Sequence, residues 1–155
     1  MAQYTSDFEA IEGAEGNESI YKGFCTFEDL NNIAAFHLDE AADKSQPSAL
    51  AMEALRAKTH DYTIVVFLGT WCEDSHNLIP KLYRVLREST MNFEESLTIH
   101  ALDRAKKGRD DVEQKYNITN VPTIIVLKDE QEIGRITETV QKTVEQDLLN
   151  IIEKK

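Results

Sequence analysis

The residues Ile64-Val65-Val66-Phe67-Leu68 form an almost unbroken apolar, β-prone run. The chain leaves it through Gly69 and Thr70 into Trp71-Cys72-Glu73-Asp74-Ser75-His76-Asn77-Leu78-Ile79-Pro80. Such a run suits a central strand covered on both faces. Over about 75–88 the apolar residues Leu78, Ile79, Leu82, Tyr83, Val85 and Leu86 make a wide stripe, as on a helix packed against a sheet. Pro80 removes one N–H and crowds the preceding turn, so a kink is expected there. One cysteine therefore falls where a strand hands over to a helix. First-turn N–H groups lack intrahelical partners and stabilise negative charge. A thiol beside them tends to ionise more readily and to become a better nucleophile. A dithiol redox site needs a second cysteine three residues on, and position 75 is serine.

The flanking segments extend the pattern. Leu97-Thr98-Ile99-His100-Ala101-Leu102 reads as a second core strand, followed by a charged loop over 103–109. Asp110 or Asp111 then caps a short helix that buries Val112 and Tyr116. Residues 124–128 and 132–136, joined by Asp129-Glu130-Gln131, read as a hairpin. Val144, Leu148, Ile151 and Ile152 recur at helical spacing and mark a last helix from about Thr143. Upstream, 20–25 reads as a short strand. Thr26 with Asp29 reads as a helix start, and Pro47 as the opening of a further helix. Residues 27–59 are thus expected to form two helices. From residue 62 the order is strand, helix, strand, helix, hairpin, helix. That order predicts an α/β chain with a central mixed sheet and helices on both faces.

The 155 residues make about one domain, large enough to bury a core. The net charge of −11 argues against nucleic acid as a partner, because phosphate binding needs a basic face, and equally against adhesion to an anionic membrane. The acidity is uneven: residues 1–60 carry 11 acidic and 4 basic side chains, and residues 61–155 carry 17 and 13. Residues 1–19 hold Asp7, Glu9, Glu12, Glu15 and Glu18 with no basic residue, and read as a mobile, solvated arm before a single domain over 20–155. The other reading is an arm that folds back through Tyr4, Phe8 and Ile11. No apolar stretch approaches the roughly 20 residues of a membrane span. The first residues lack the basic and apolar regions of a signal peptide. Two cysteines make no disulfide framework, and a cytoplasmic location is the expectation.

The stretch from about Tyr62 to Lys155 resembles thioredoxin. That family's active site reads Trp-Cys-Gly-Pro-Cys with a proline five residues after the second cysteine; Trp71, Cys72, Ser75 and Pro80 keep the spacing. Lys115-Tyr116-Asn117-Ile118-Thr119-Asn120-Val121-Pro122-Thr123 is similar to the family's Lys-Tyr-Gly-Ile-Arg-Gly-Ile-Pro-Thr. The resemblance implies a thioredoxin fold with an N-terminal helical extension. It implies a cis Pro122 lying against Cys72, and a Val121 backbone edge that pairs with an extended substrate segment beside a partly exposed Trp71. The departures agree with one another. Ser75 replaces the resolving cysteine. The family's buried aspartate and its partner lysine, both linked to proton transfer at the resolving step, fall on Val66 and Ala101. The chain fits better with the larger bacterial thioredoxin-like group that carries a Trp-Cys-x-Asp-Ser core.

A lone thiolate can attack a disulfide and form a mixed disulfide. Without an internal partner, release needs glutathione or another external thiol. The expectation is a monothiol exchange protein acting on protein disulfide or thiol clients. Cys72 is the nucleophile and Ser75 the hydrogen-bond donor to its thiolate; Trp71, Val121 and Pro122 form the substrate platform. A thioredoxin-fold binding module without turnover is the alternative. A glutaredoxin-like cluster binder ranks last, since the Cys-Gly-Phe-Ser motif is absent. Glu73 and Asp74 oppose a further negative charge, yet suit the first turn of a helix. His76 reads as an exposed side chain, and Cys25 as a small buried residue. Cys72 with His76 is a single pair, too little for zinc. No phosphate-binding loop or nucleophilic serine motif occurs, and no cofactor is expected.

Overall fold

The computed structural model describes residues 2–12 and 19–154. Six strands, β1 (Asp7–Glu12), β2 (Ser19–Cys25), β3 (Thr63–Leu68), β4 (Leu97–Ala101), β5 (Thr123–Lys128) and β6 (Gln131–Thr137), form one sheet in the order β1-β2-β4-β3-β5-β6. β3 and β4 run parallel, and every other neighbouring pair is antiparallel. The apolar run of β3 occupies the middle, as its composition demands.

Alternation along the strands creates two unequal cores. Ile64, Val66 and Leu68 of β3, with Leu97, Ile99, Ala101, Ile124, Val126 and Ile136, face the larger one. All the longer helices pack there: α1 (Phe27–Asn31), α2 (Leu38–Lys44), α3 (Ala49–Arg56), α4 (Glu73–Glu88) and α7 (Val144–Glu153). Side chains such as Leu30, Ile79, Leu82 and Leu86 are buried there, each contributing about 1.5–3 kcal/mol of transfer free energy. The single turn α5 (Phe93–Ser96) leads into β4. Val65, Phe67, Leu102, Ile118, Val121 and Ile125 face the smaller core. The only helical cover joined to that cluster, among the described residues, comes from the short α6 (Val112–Lys115), through Val112.

Two expectations need correction. Residues 27–59 form three α-helices and two 3₁₀ turns rather than two helices. His37 takes a left-handed conformation (φ 45°) between Ala34–Phe36 and α2, which ends one helix before the next begins. The N-terminal segment is not a loose arm over its described part. Asp7–Glu12 pairs with all of β2 except Cys25, Phe8 stacks on Tyr21 at 4.1 Å, and the Tyr4 hydroxyl accepts the Phe27 N–H and donates to Glu28. Gly23 permits this close approach. It has φ 135°, and a Cβ there would lie 2.4 Å from the Asp7 carbonyl oxygen. Residues 13–18, the rest of the acidic stretch, lie outside the described residues.

Candidate active site

β3 ends at Leu68 and the thiol loop begins. The Cys72 N–H donates to the Gly69 carbonyl at 3.0 Å, and Cys72 becomes the N-cap residue of α4, which starts at Glu73, two residues earlier than its apolar stripe indicated. Pro80 lies buried inside this helix. Cys72 is half-buried, and its Sγ–H donates to the Val121 carbonyl oxygen at 3.6 Å. The Val121–Pro122 peptide bond is cis. The thiol loop and the 120–123 turn, 49 residues apart, thus meet at the sulfur.

Trp71 is half-buried. Its indole N–H donates to the Leu102 carbonyl at 2.9 Å, and the Arg104 guanidinium lies 5.7 Å from its ring centre. Ser75 is fully buried, and its hydroxyl oxygen accepts the Gly69 N–H at 3.2 Å. The hydroxyl of Ser75 therefore closes the loop 69–75 onto the end of β3. Val66 and Ala101, at the positions of the family's acid and lysine, are 1% and 0% exposed and belong to the larger core. These two positions therefore supply no ionisable pair behind the thiol.

Two residues hold the loop that sequence reasoning missed or misread. Thr70 is buried; its hydroxyl donates to the Ser19 carbonyl at 2.7 Å and accepts the Tyr21 N–H at 3.1 Å. His76 is not simply exposed. It is half-buried, its ring meets Phe36 edge-on at 4.8 Å, and Nε2 stands 2.6 Å from the Thr70 carbonyl oxygen. A carbonyl only accepts, so Nε2 carries the proton. A lone histidine one turn past a cysteine carries no signal for a main-chain partner six residues back.

Cys25 is fully buried in the larger core, whereas Cys72 packs against the smaller one. Burial pushes the Cys25 thiol well up, with the Asp29 carboxylate adding to the effect. The sheet separates the two cysteines, and both are free. Among the described residues no cluster of three His, Cys, Asp or Glu side chains could hold a metal ion. Among the same residues no helix is long and apolar enough to cross a membrane.

A mixed sheet, a cysteine at the strand-to-helix junction and a cis proline joined to it through Val121 define a protein of the thioredoxin fold. The family model Thioredoxin matches residues 48–154, and the chain belongs to the thioredoxin family. A thioredoxin of Echinococcus granulosus is 33% identical over 70 residues, which are 45% of this chain and 59% of that protein; the chain thus spans under two thirds of this relative's length. Among solved structures, a protein of unknown function from Pseudomonas aeruginosa covers 80% of this chain and 72% of its own at 18% identity, with a TM-score of 0.50. The Fasciola hepatica thioredoxin covers 64% of this chain and 86% of its own at 22% identity, with a TM-score of 0.42. The first of these two, at 18% identity, speaks of fold and not of activity.

Proposed function

We propose that the protein exchanges thiols and disulfides through Cys72 alone and is returned to its starting state by an external thiol. One observation carries this reading. The accessible thiol meets the cis-proline turn at Val121, while the second cysteine is buried in the core on the other side of the sheet. In the first step the Cys72 thiolate attacks one sulfur of a client disulfide. A Cys72–client mixed disulfide forms, and the other client sulfur leaves as a thiolate. An external thiolate such as glutathione then attacks the Cys72 sulfur and displaces the client as its second thiolate. A second external thiol frees Cys72. The client disulfide gains two electrons, and two external thiols become one disulfide.

The groups around the sulfur suit capture more than fast release. Val66 and Ala101 provide no acid or base behind the thiol, and Ser75 provides no second sulfur. The position of Cys72 at the N-cap of a 16-residue helix sets the sulfur at the positive end of that helix. Trp71, Val121 and Pro122 supply the platform beside it. The same features favour a second reading, a binding module that docks clients on this platform without turnover.

A glutathione-coupled disulfide reduction assay separates the two. Turnover is expected in the wild type, to depend on the external thiol, to persist in Cys25→Ser and to vanish in Cys72→Ser. Turnover that survives Cys72→Ser would overturn the proposal. Absent turnover in a wild type that still captures clients would establish the binding module.

A further inference from the structure

The smaller core leaves part of its sheet face open. A groove of about 660 Å³ runs there, inside the range of roughly 300–1,000 Å³ typical of small-molecule sites. It does not include Cys72, Trp71 or the cis-proline turn. His100 lies on its floor, 8% exposed, stacked on Phe67 at 4.9 Å and tilted against Phe24 at 4.9 Å. Burial, with the Lys115 ammonium adding to it, holds the His100 imidazole down at about 4, so the ring is neutral near pH 7. A neutral imidazole offers one donor and one acceptor. Among the described residues neither ring nitrogen of His100 has a hydrogen-bond partner. Neither nitrogen is fully enclosed, so both open onto the groove, where a ligand can reach them. Phe24, Tyr62 and Tyr116 line the groove and are each half-buried, so apolar ring surface is on offer around that imidazole.

The two ends of the groove differ in charge. Asp61 precedes β3, Glu95 lies in the turn before β4, and Asp129 follows β5. Because Thr63 pairs with Leu127 and Ile64 with Leu97, the register brings all three acids to one end. All three line the groove and are exposed. Lys115, the one Lys or Arg among the described lining residues, acts on His100 from the other end. The strand from Leu97 to His100 separates the ends by about 10 Å.

We infer that this groove binds an amphipathic organic cation, its aromatic or apolar body seated beside His100 and its ammonium group at the Asp61–Glu95–Asp129 end. An anion of the same shape meets three carboxylates there. A cation placed the other way round meets Lys115.

The test uses three molecules of one shape: 4-phenylbutylamine, 4-phenylbutanol and 4-phenylbutyrate. Each is titrated onto the full chain carrying Cys72→Ser, which removes thiol chemistry, and followed by backbone amide and histidine ring NMR. The amine is expected to give saturable shifts centred on His100, Thr98 and Tyr116, and to bind about fivefold tighter than the alcohol, as exposed charge pairs allow. The acid is expected to bind most weakly. In the double variant Asp61→Asn and Glu95→Gln, both changes at exposed positions, the advantage of the amine is expected to shrink to about twofold or less while the alcohol binds as before. Four outcomes would each overturn the inference. None of the three saturates up to about 10 mM; the shifts centre away from His100; the acid binds as tightly as the amine; or the double variant keeps the amine's full advantage.

Discussion

The Trp71 indole donates to the Leu102 carbonyl across 2.9 Å, and only a glycine at position 69 leaves room for it. A Cβ on Gly69 would lie 2.6 Å from Trp71 Cε2. Real Cβ atoms do not come so close, so one side must move. Gly69→Ala is expected to displace the ring, break its bond to Leu102 and cost about 1–3 kcal/mol. Trp71 is the one tryptophan in the chain, so its emission spectrum reports on this contact alone. A red shift in emission and a lower melting temperature are expected. An unchanged spectrum would show that the ring is not held against the backbone.

The neutral His100 makes stability depend on pH. Its ordinary value is 6.5, and burial with Lys115 lowers it to about 4 in the folded protein. Between these limits the unfolded chain binds more protons, so stability is fully present above about 6.5 and falls with falling pH until about 4. The whole effect is on the order of 3 kcal/mol. Urea unfolding of wild type and His100→Phe at pH 7.5 and pH 4.5 checks it, since the carboxylates act in both proteins. The variant is expected to gain on the wild type as pH falls. A difference that stays constant with pH would contradict the assigned burial.

One thiol per chain is expected to react with an aromatic disulfide reagent in the native state, and two after denaturation. Cys72→Ser should remove the native reaction, and Cys25→Ser should leave it intact. The reason is packing: Cys25 is fully buried and its Sγ–H faces the Gly23 carbonyl at 3.9 Å. Two fast thiols in the folded wild type would be incompatible with that placement.

The buried Glu145 carboxylate accepts the Ser48 N–H at 2.8 Å and so joins the first turn of α7 to the N-cap residue of α3. Glu145→Ala leaves that N–H without its acceptor, at a cost of about 1–3 kcal/mol. Glu145→Gln keeps an acceptor oxygen and should lose less. Equal melting temperatures for the two variants would show that the acceptor oxygen adds nothing.

Ser75 supports the loop through its oxygen, because the Gly69 N–H donates to it inside the core. Ser75→Ala is expected to lower stability by about 1–3 kcal/mol, as for any buried donor left unmatched. Wild-type stability in that variant would restrict the role of Ser75 to the chemistry of the sulfur.

The parts of the fold legible in the sequence were those with strong periodicity. The run at 64–68, the stripe at 78–86, the hairpin and the last helix all appear where their patterns put them. β1 was not legible because five of its six residues are exposed, so no apolar alternation marks it. It exists through backbone pairing with β2, which is a tertiary effect. The two faces of the sheet were expected to be helix-covered, and local patterns cannot tell how much cover each receives. At the site, the placement of Cys72 beside the cis-proline turn was readable from motif spacing, whereas the Gly69 N–H as the partner of Ser75, in place of the expected bond to the sulfur, was not. The main-chain partners of Thr70 and His76 were not, since they depend on where β2 and the loop end up in space.

The clamp on Thr70 has a consequence for where this domain begins. The family match starts at residue 48, but the groups that hold Thr70 belong to Ser19 and Tyr21. A fragment cut to the family's boundaries would keep the sulfur and lose the mooring of the loop that carries it. Judged by mechanics rather than by likeness, what keeps the thiol loop in place includes Ser19 and Tyr21, which lie outside the family match.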